Sequence, residues 1–254
     1  MCIRDSYTTE KNILKVIEPL FLDDLRAELA RILDLKRGRE AALRAFQDKL
    51  AGLTLFDPAC GCGNFLIIAY RELRLLEIAV LKALYPSGQL DLEAAALSKV
   101  DVDQFYGIEI DEFPARIAET AMWMMDHIMN NRLSQEFGQV FARIPLKASA
   151  HIVHGDALEV DWTTVLPSER CSYVLGNPPF LGAKVQSEGQ REQVRRIAAL
   201  GRSGGTLDFV AAWFIKAGAY VQGSHARIGF VSTNSITQGE QVAQLWPILF
   251  DRYG

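Results

Sequence analysis

The sequence predicts a doubly wound, mainly parallel α/β sheet preceded by a helical extension. Three observations carry this. Short apolar runs of β type alternate with long stretches of helical period from Leu53 onward. Two of these runs lead straight into special turns, Asp57-Pro58-Ala59-Cys60-Gly61-Cys62-Gly63-Asn64-Phe65 and Gly176-Asn177-Pro178-Pro179-Phe180. Polar or acidic residues close four of the runs, at the edge where sheets of this class bind ligands.

A chain of 254 residues is long enough for a sizeable core, and 49% apolar with 23% charged residues is the balance of a globular protein. No apolar run is long enough to span a bilayer and no signal-peptide h-region opens the chain, so a bacterial-type cytoplasm is the expected location. The formal charge of −4 excludes a strongly basic nucleic-acid binder; contact with DNA would need a local basic surface or another part of a longer chain. Cys60 and Cys62 have no matching Cys/His pair elsewhere, which argues against zinc and for a reducing compartment.

Residues 1–52 read as the helical extension, and residues 53–254 as the α/β domain. Tyr7-Thr8-Thr9-Glu10 precede the periodic Ile13, Leu14 and Ile17, so a helix starts there with Thr8 or Thr9 as N-cap. Leu22, Leu25 and Leu29 share one helical face, as do Leu43, Phe46 and Leu50, and the charged Lys36-Arg37-Gly38-Arg39 between them reads as a solvated loop. Leu53 to Phe56 form a short buried strand. After its glycine-bearing turn comes a long helix with Leu66, Ala69, Leu73, Leu76 and Val80 inward. Strand, glycine turn and helix let backbone approach a nucleotide-like ligand. A dinucleotide fingerprint would need glycine where Leu66 stands, and the P-loop lysine is missing, which leaves an adenosine ligand without phosphates.

A further short helix is expected over Leu90 to Leu97. Gln104 to Asp111 form a second strand ending in acids. Glu109 or Asp111 there can accept two hydrogen bonds from a ribose diol, or cap the next helix; for Asp111, with Pro114 following, the cap is favoured. That helix is expected to turn Ile117, Ala121, Met124 and Ile128 inward, with the methionines of Met122-Trp123-Met124-Met125 in the core. Ala150 to Asp156 form a third strand. Asp156 either accepts from an adenine amino group or caps the segment from Ala157, while His151 and His154 read as structural. The fourth strand ends in Asn177-Pro178-Pro179-Phe180. Two prolines cannot continue a central strand, and they make a stiff loop with an amide, carbonyls without competing donors and an aromatic ring. Such a loop suits a flat molecule bearing an amino group; the plain alternative is a proline turn. Arg191, Arg195 and Arg196 follow on a polar segment that reads as a solvated helix face, the alternative being contact with phosphate. A flexible Gly201 to Gly205, a helix opened by Leu207-Asp208-Phe209, a fifth strand over Ala226 to Ser232 and a helix from Gln238 to Phe250 complete the chain.

Together the turn Asp57 to Phe65 and the loop Asn177-Pro178-Pro179-Phe180 resemble the class I S-adenosylmethionine-dependent methyltransferases that modify the adenine amino group in DNA, in the motif order of their γ group. More narrowly, Phe65 to Glu77, Gly107 to Ala115 and Leu175 to Ala183 resemble the MmeI-like restriction–modification enzymes, which join nuclease, methyltransferase and target recognition in one chain. The resemblance implies S-adenosylmethionine as cofactor and double-stranded DNA as partner. It implies that Thr8 belongs to an upstream cofactor motif, which has proline where Thr9 stands. Asp57, Ala59, Gly61, Gly63 and Asn64 would surround the methionine part of the cofactor, with Glu109 on the ribose and Ile110 against the adenine. Asp156 would take the adenine amino group, with Ala157 beside it. Asn177, Pro178, Pro179 and Phe180 would grip and stack on a flipped-out target adenine.

The chemistry follows from the residues. The lone pair of an exocyclic amine is delocalised into its ring, so the amine is a poor nucleophile. The Asn177 side-chain oxygen and the Pro178 carbonyl can each accept one amino hydrogen and localise that lone pair. Direct transfer then needs neither a metal nor a covalent enzyme intermediate. Stacking on Phe180 offsets about 1–3 kcal/mol of the cost of flipping the base. Release-factor glutamine methyltransferases and some RNA methyltransferases carry a similar loop, and a cofactor-binding module without turnover is the remaining alternative. The family sheet has seven strands against five in this reading, so two more strands and a target-recognition domain are expected beyond Gly254, and no Asp…Glu-x-Lys nuclease motif is recognisable before the α/β domain.

Overall fold

Strands β1 (Leu55–Asp57), β2 (Phe105–Glu109), β3 (His151–His154), β4 (Tyr173–Gly176) and β5 (Arg227–Phe230) pair in parallel in the spatial order β3-β2-β1-β4-β5. This is a computed structural model; it describes residues 8–86, 98–138, 149–199 and 206–253. Central β1 is short, three residues, all buried, with Leu55 opposite Phe105 on one side and Tyr173 on the other. From β1 the chain moves outward through β2 to β3, then returns to lay β4 and β5 on the other side. The reversal lies between β1 and β4, and sheets of this class bind ligands at the carboxyl ends of the strands beside such a point.

Helices cover both faces. The extension consists of α1 (Glu10–Ile17), a π-helical turn over Glu18–Leu22, α2 (Asp23–Leu33) and α3 (Arg39–Gly52). With α4 (Asn64–Leu84) and α5 (Glu112–Phe137) it builds one core, in which Ile17, Phe21, Leu66, Tyr70 and Met122 are fully buried. The extension therefore packs as part of the α/β body. A Cβ on Gly229 of β5 would stand 2.9 Å from Leu20, and the Phe21 ring lies 4.8 Å from that of Tyr173. On the other face α6 (Trp162–Val165), α7 (Glu188–Ala198), α8 (Ala211–Val221) and α9 (Glu240–Pro247) pack around Phe56, Trp162, Val174 and Ile215.

The elements expected from the sequence form, with three differences. The buried face of α5 carries Ala115, Ala118, Met122, Met129 and Leu133, whereas Met124 and Ile128, expected inward, are exposed. The helix after Leu207-Asp208-Phe209 begins only at Ala211, because Asp208 is engaged elsewhere. Thr9 occupies the N-cap position of α1 but its side chain caps nothing, and Asp111 does the same for α5. The expected helix over Leu90 to Leu97 and the glycine-rich Gly201 to Gly205 lie outside the described residues.

Between α3, α4 and α5 lies a buried polar cluster. Glu77 accepts from Gln47 Nε2 at 3.0 Å, Ser98 Oγ at 2.8 Å and Val100 N at 3.1 Å, and its carboxylate stands 3.6 Å from Arg74 Nη1. Arg74 also donates to Asn130 Oδ1 at 2.9 Å and to Val100 O at 3.1 Å. Neither charge has measurable exposure, so each depends on these partners for the solvation that water would otherwise supply. The cluster fixes the long α4 helix, whose N-terminus begins at the site described next.

Candidate active site

The turn after β1 is built by two glycines. Gly61 and Gly63 have φ of +53° and +85°, a region unfavourable for residues with a Cβ. A Cβ on Gly63 would also press on Ala118 Cβ at 3.1 Å, so α5 packs against this turn. Asn64 then opens α4 as its first residue. The carboxylate of Asp57 is buried under the turn and accepts from Ala59 N at 2.9 Å. Burial pushes its pKa up to about 8, a rise to which the nearby Glu109 charge adds and which the Ala59 N–H opposes. Cys60 packs beside Gly107, and burial raises its thiol well above the ordinary range, so it stays a protonated core group.

Glu109, closing β2, reaches across to this turn. Its Oε2 accepts from Gly61 N at 2.9 Å and its Oε1 from Asp111 N at 3.0 Å. An ionised carboxylate has about four acceptor sites, so each oxygen retains capacity for a further donor, such as one hydroxyl of a diol. Next to it Ile110 is 60% exposed and Phe113 77% exposed, an apolar surface beyond the carboxyl end of β2. Beyond β3, Asp156 Oδ1 accepts from Leu158 N at 2.9 Å, holding the local turn as the capping alternative expects, and Oδ2 accepts from Gln193 Nε2 at 2.8 Å. Ala157 is buried, and its carbonyl accepts from Trp162 Nε1 and Lys216 Nζ. His151 stacks on Tyr106 and His154 bonds the Ile110 carbonyl, both structural contacts.

The loop after β4 is clamped at both ends. Gly176, with φ of +148°, passes so close to Asp57 that a Cβ there would overlap the carboxylate; Val231 N bonds its carbonyl at 2.9 Å. Downstream, Phe209 N donates to Leu181 O at 2.8 Å and Asp208 Oδ1 accepts from Ala183 N at 3.1 Å. Between the clamps Pro178 is buried, Asn177 and Pro179 are half-buried, and the Phe180 ring is 44% exposed. The Asn177 Nδ2 donates to Thr8 Oγ1 at 2.7 Å. Among the described residues nothing donates to Asn177 Oδ1 or to the Pro178 carbonyl. Two acceptors on a rigid loop thus remain available beside an exposed aromatic ring.

The structure brings Asp57, Ala59, Gly61, Gly63, Asn64, Glu109, Ile110 and Asp156 to one edge of the sheet with Asn177 to Phe180, and joins Thr8 to Asn177. The close approach of Gly176 to Asp57 and the bond from Gln193 to Asp156 escaped sequence reasoning. The glycine's place between a strand and a double proline was a usable signal for the first; nothing in the sequence singles out the second. Arg195 and Arg196 are committed to ion pairs with Glu188 and Glu159, which fits the solvated-face reading of this segment. A cavity of about 850 Å³ lies at the opposite edge, among the amino ends of the strands, lined by residues such as Thr54, Gln104, Ser172 and Arg227, away from these motifs.

Residues 33–253 match the family described as MmeI, DNA-methyltransferase domain. The chain belongs to this family. Among solved structures, the MmeI-family chain resembles the type IIL restriction–modification enzyme MmeI in complex with DNA, at 53% identity and a TM-score of 0.91, over 96% of this chain and 32% of that one. It is 40% identical to DNA methyltransferase A of Bacillus subtilis (strain 168) over 96% of its own length and 27% of that protein. A putative type II restriction enzyme and methyltransferase of Methanocaldococcus jannaschii is 31% identical over 41% of this chain and 8% of its own. The MmeI-family chain therefore spans about a third or less of each of these relatives. None of its described helices is long and apolar enough to cross a membrane.

Proposed function

We propose that this chain is the methyltransferase part of a DNA restriction–modification enzyme and that it methylates the exocyclic N6 amino group of a flipped-out adenine, with S-adenosylmethionine as donor. The observation that carries this reading is the Asn177-Pro178 pair of available acceptors, held rigidly at the carboxyl end of β4 next to the Asp57 turn. Family membership supports DNA as the substrate class.

The residues present fit the cofactor. The left-handed turn at Gly61 and Gly63 leaves open space above Gly61, where a Cβ would meet nothing within 4 Å. Asp57 supplies a carboxylate for a cationic group, and Glu109 keeps acceptor capacity for the ribose hydroxyls. Ile110 offers an apolar face for an adenine ring, and Asp156 an acceptor for its amino group. Once bound, the cofactor supplies a methyl group activated by its sulfonium.

The rest is done by the protein. Asn177 Oδ1 and the Pro178 carbonyl each accept one hydrogen of the target amine. The nitrogen becomes more tetrahedral and its lone pair points away from the ring, towards the carbon it attacks. Phe180 stacks on the extruded base and offsets about 1–3 kcal/mol of its unstacking. The nitrogen loses one proton as it gains the methyl group; neither an amide oxygen nor a peptide carbonyl is basic enough to keep that proton, so it passes to water. Target recognition, any nuclease and a cytoplasmic setting belong to this same reading, by likeness to the enzymes above.

The test is to express the complete open reading frame in cells that lack adenine methylation and to quantify N6-methyladenine in their DNA. Wild type should produce it and Asn177→Ala should not. Wild-type protein that binds S-adenosylmethionine yet leaves DNA unmodified would point to RNA, to a protein glutamine or to a module without turnover.

A further inference from the structure

Thr8 and Asn177 are 169 residues apart in sequence, yet their side chains meet at 2.7 Å. The family resemblance assigns Thr8 to the cofactor; in the structure its hydroxyl lies against the amide at the centre of the proposed chemistry. A primary amide has two ends of nearly equal size and opposite hydrogen-bonding character. If Nδ2 faced the target amine, donor would oppose donor and the amine would keep its lone pair in the ring. Productive geometry needs Oδ1 forward, and Nδ2 then needs an acceptor behind it. Thr8 Oγ1 is that acceptor.

The segment that carries the hydroxyl is anchored next door. Thr8 precedes Thr9, the N-cap residue of α1, whose carbonyl accepts from Asn12 N and Ile13 N at 2.9 and 3.0 Å. That helix is anchored by Ile13 and Ile17 in the core and by Glu10, which pairs with Arg71 of α4 at 2.7 Å. The extension thus delivers one oxygen atom from the far end of the chain to the back of the β4 loop.

We infer that Thr8 is a positioning residue that holds the Nδ2 end of the Asn177 amide, so that Oδ1 faces the amine to be methylated. The inference rests on the adenine reading above. It separates Thr8 from the cofactor contacts, and the two roles give different kinetics.

The test uses Thr8→Val, Thr8→Ser and Thr8→Ala in the complete open reading frame. Single-turnover DNA methylation is measured at saturating S-adenosylmethionine, and the cofactor Kd is measured separately. Thr8→Val should slow the single-turnover step about 3- to 10-fold, the weight of one lost hydrogen bond, with the cofactor Kd within about 2-fold of wild type. Thr8→Ser should restore the rate. Thr8→Ala cannot crowd the site and should repeat the loss. In the Asn177→Ala background Thr8→Val should add nothing to cofactor Kd or residual rate. A Thr8→Val protein with weakened cofactor binding and an unchanged saturated rate would overturn the positioning role in favour of a cofactor contact. Wild-type behaviour in both measurements would overturn it as well. If wild-type protein makes no N6-methyladenine, the adenine reading fails and takes this role with it; a wild-type signal unaffected by Thr8→Val removes the positioning role alone.

Discussion

Replacing Gly176 by alanine should damage both the fold and the site, because one methyl group would meet the buried, hydrogen-bonded carboxylate of Asp57. The Cβ would overlap Asp57 Oδ1 and stand 2.9 Å from its Cγ. Asp57 has little room to yield: it is 1% exposed, and Oδ1 accepts from Ala59 N at 2.9 Å. Three costs combine. Holding alanine at the φ of +148° costs roughly 1–3 kcal/mol. Displacing the carboxylate breaks or stretches a buried hydrogen bond, about 1–3 kcal/mol. Overlap that remains is relieved by shifts between β4 and β1 of similar cost. Movement of Asp57 relieves part of the overlap, so the three do not simply add, and about 3–5 kcal/mol is expected. That is a large share of the roughly 5–15 kcal/mol that stabilises a domain. Urea denaturation of the 254-residue chain, followed by circular dichroism, should show the midpoint lowered by about 1 M or more. Calorimetric titration with S-adenosylmethionine should show weaker binding, since the displaced carboxylate sits under the glycine turn proposed to hold the cofactor. An unchanged midpoint together with an unchanged cofactor Kd would refute the argument that Asp57 is locked between its turn and β4.

Other predictions follow from the same residues, beside the losses expected for Asn177→Ala and Thr8→Val. With its pKa raised from 3.8 to about 8, Asp57 holds a proton at neutral pH in the folded chain and not in the unfolded one. Its contribution to stability is therefore complete below pH 3.8 and is lost as pH rises through about 8; Asp57→Asn should flatten that part of the stability curve, measured by denaturation across pH. A cationic ligand beside the carboxylate favours its ionised form, so cofactor binding near pH 7 should release a proton. Calorimetry in buffers of different ionisation heat measures this, and zero proton release would count against contact between Asp57 and the cofactor. Glu77→Ala should destabilise by about 3–5 kcal/mol, because it strands the Arg74 guanidinium without its carboxylate in a site closed to water. Thermal melting checks this, and a shift of no more than a degree or two would show that water or rearrangement replaces the pair.

The sequence by itself determined the features whose physics is local. Gly61 and Gly63 mark a left-handed turn because only glycine adopts it without strain, and Pro178-Pro179 end a strand because they offer no N–H to a neighbour. Apolar runs of strand length alternating with helical stretches were enough for a parallel α/β sheet, and acids at the run ends marked the edge where binding is proposed. Tertiary structure alone decided what depends on which surfaces meet. Met124 and Ile128 have the spacing of a buried face yet are exposed, since periodicity marks an apolar stripe without saying which side is covered. Nothing in the sequence singles out Arg74 and Glu77 as a buried pair; only the approach of α3 and α5 closes them off from water and makes them depend on each other. The proximity of Gly176 to Asp57 comes from pairing two strands far apart in the chain. So does the meeting of Thr8 with Asn177, which required the extension to share a core with the sheet. A hydrogen bond across 169 residues has no local signature, because neither side chain alters the conformation of its own segment in making it.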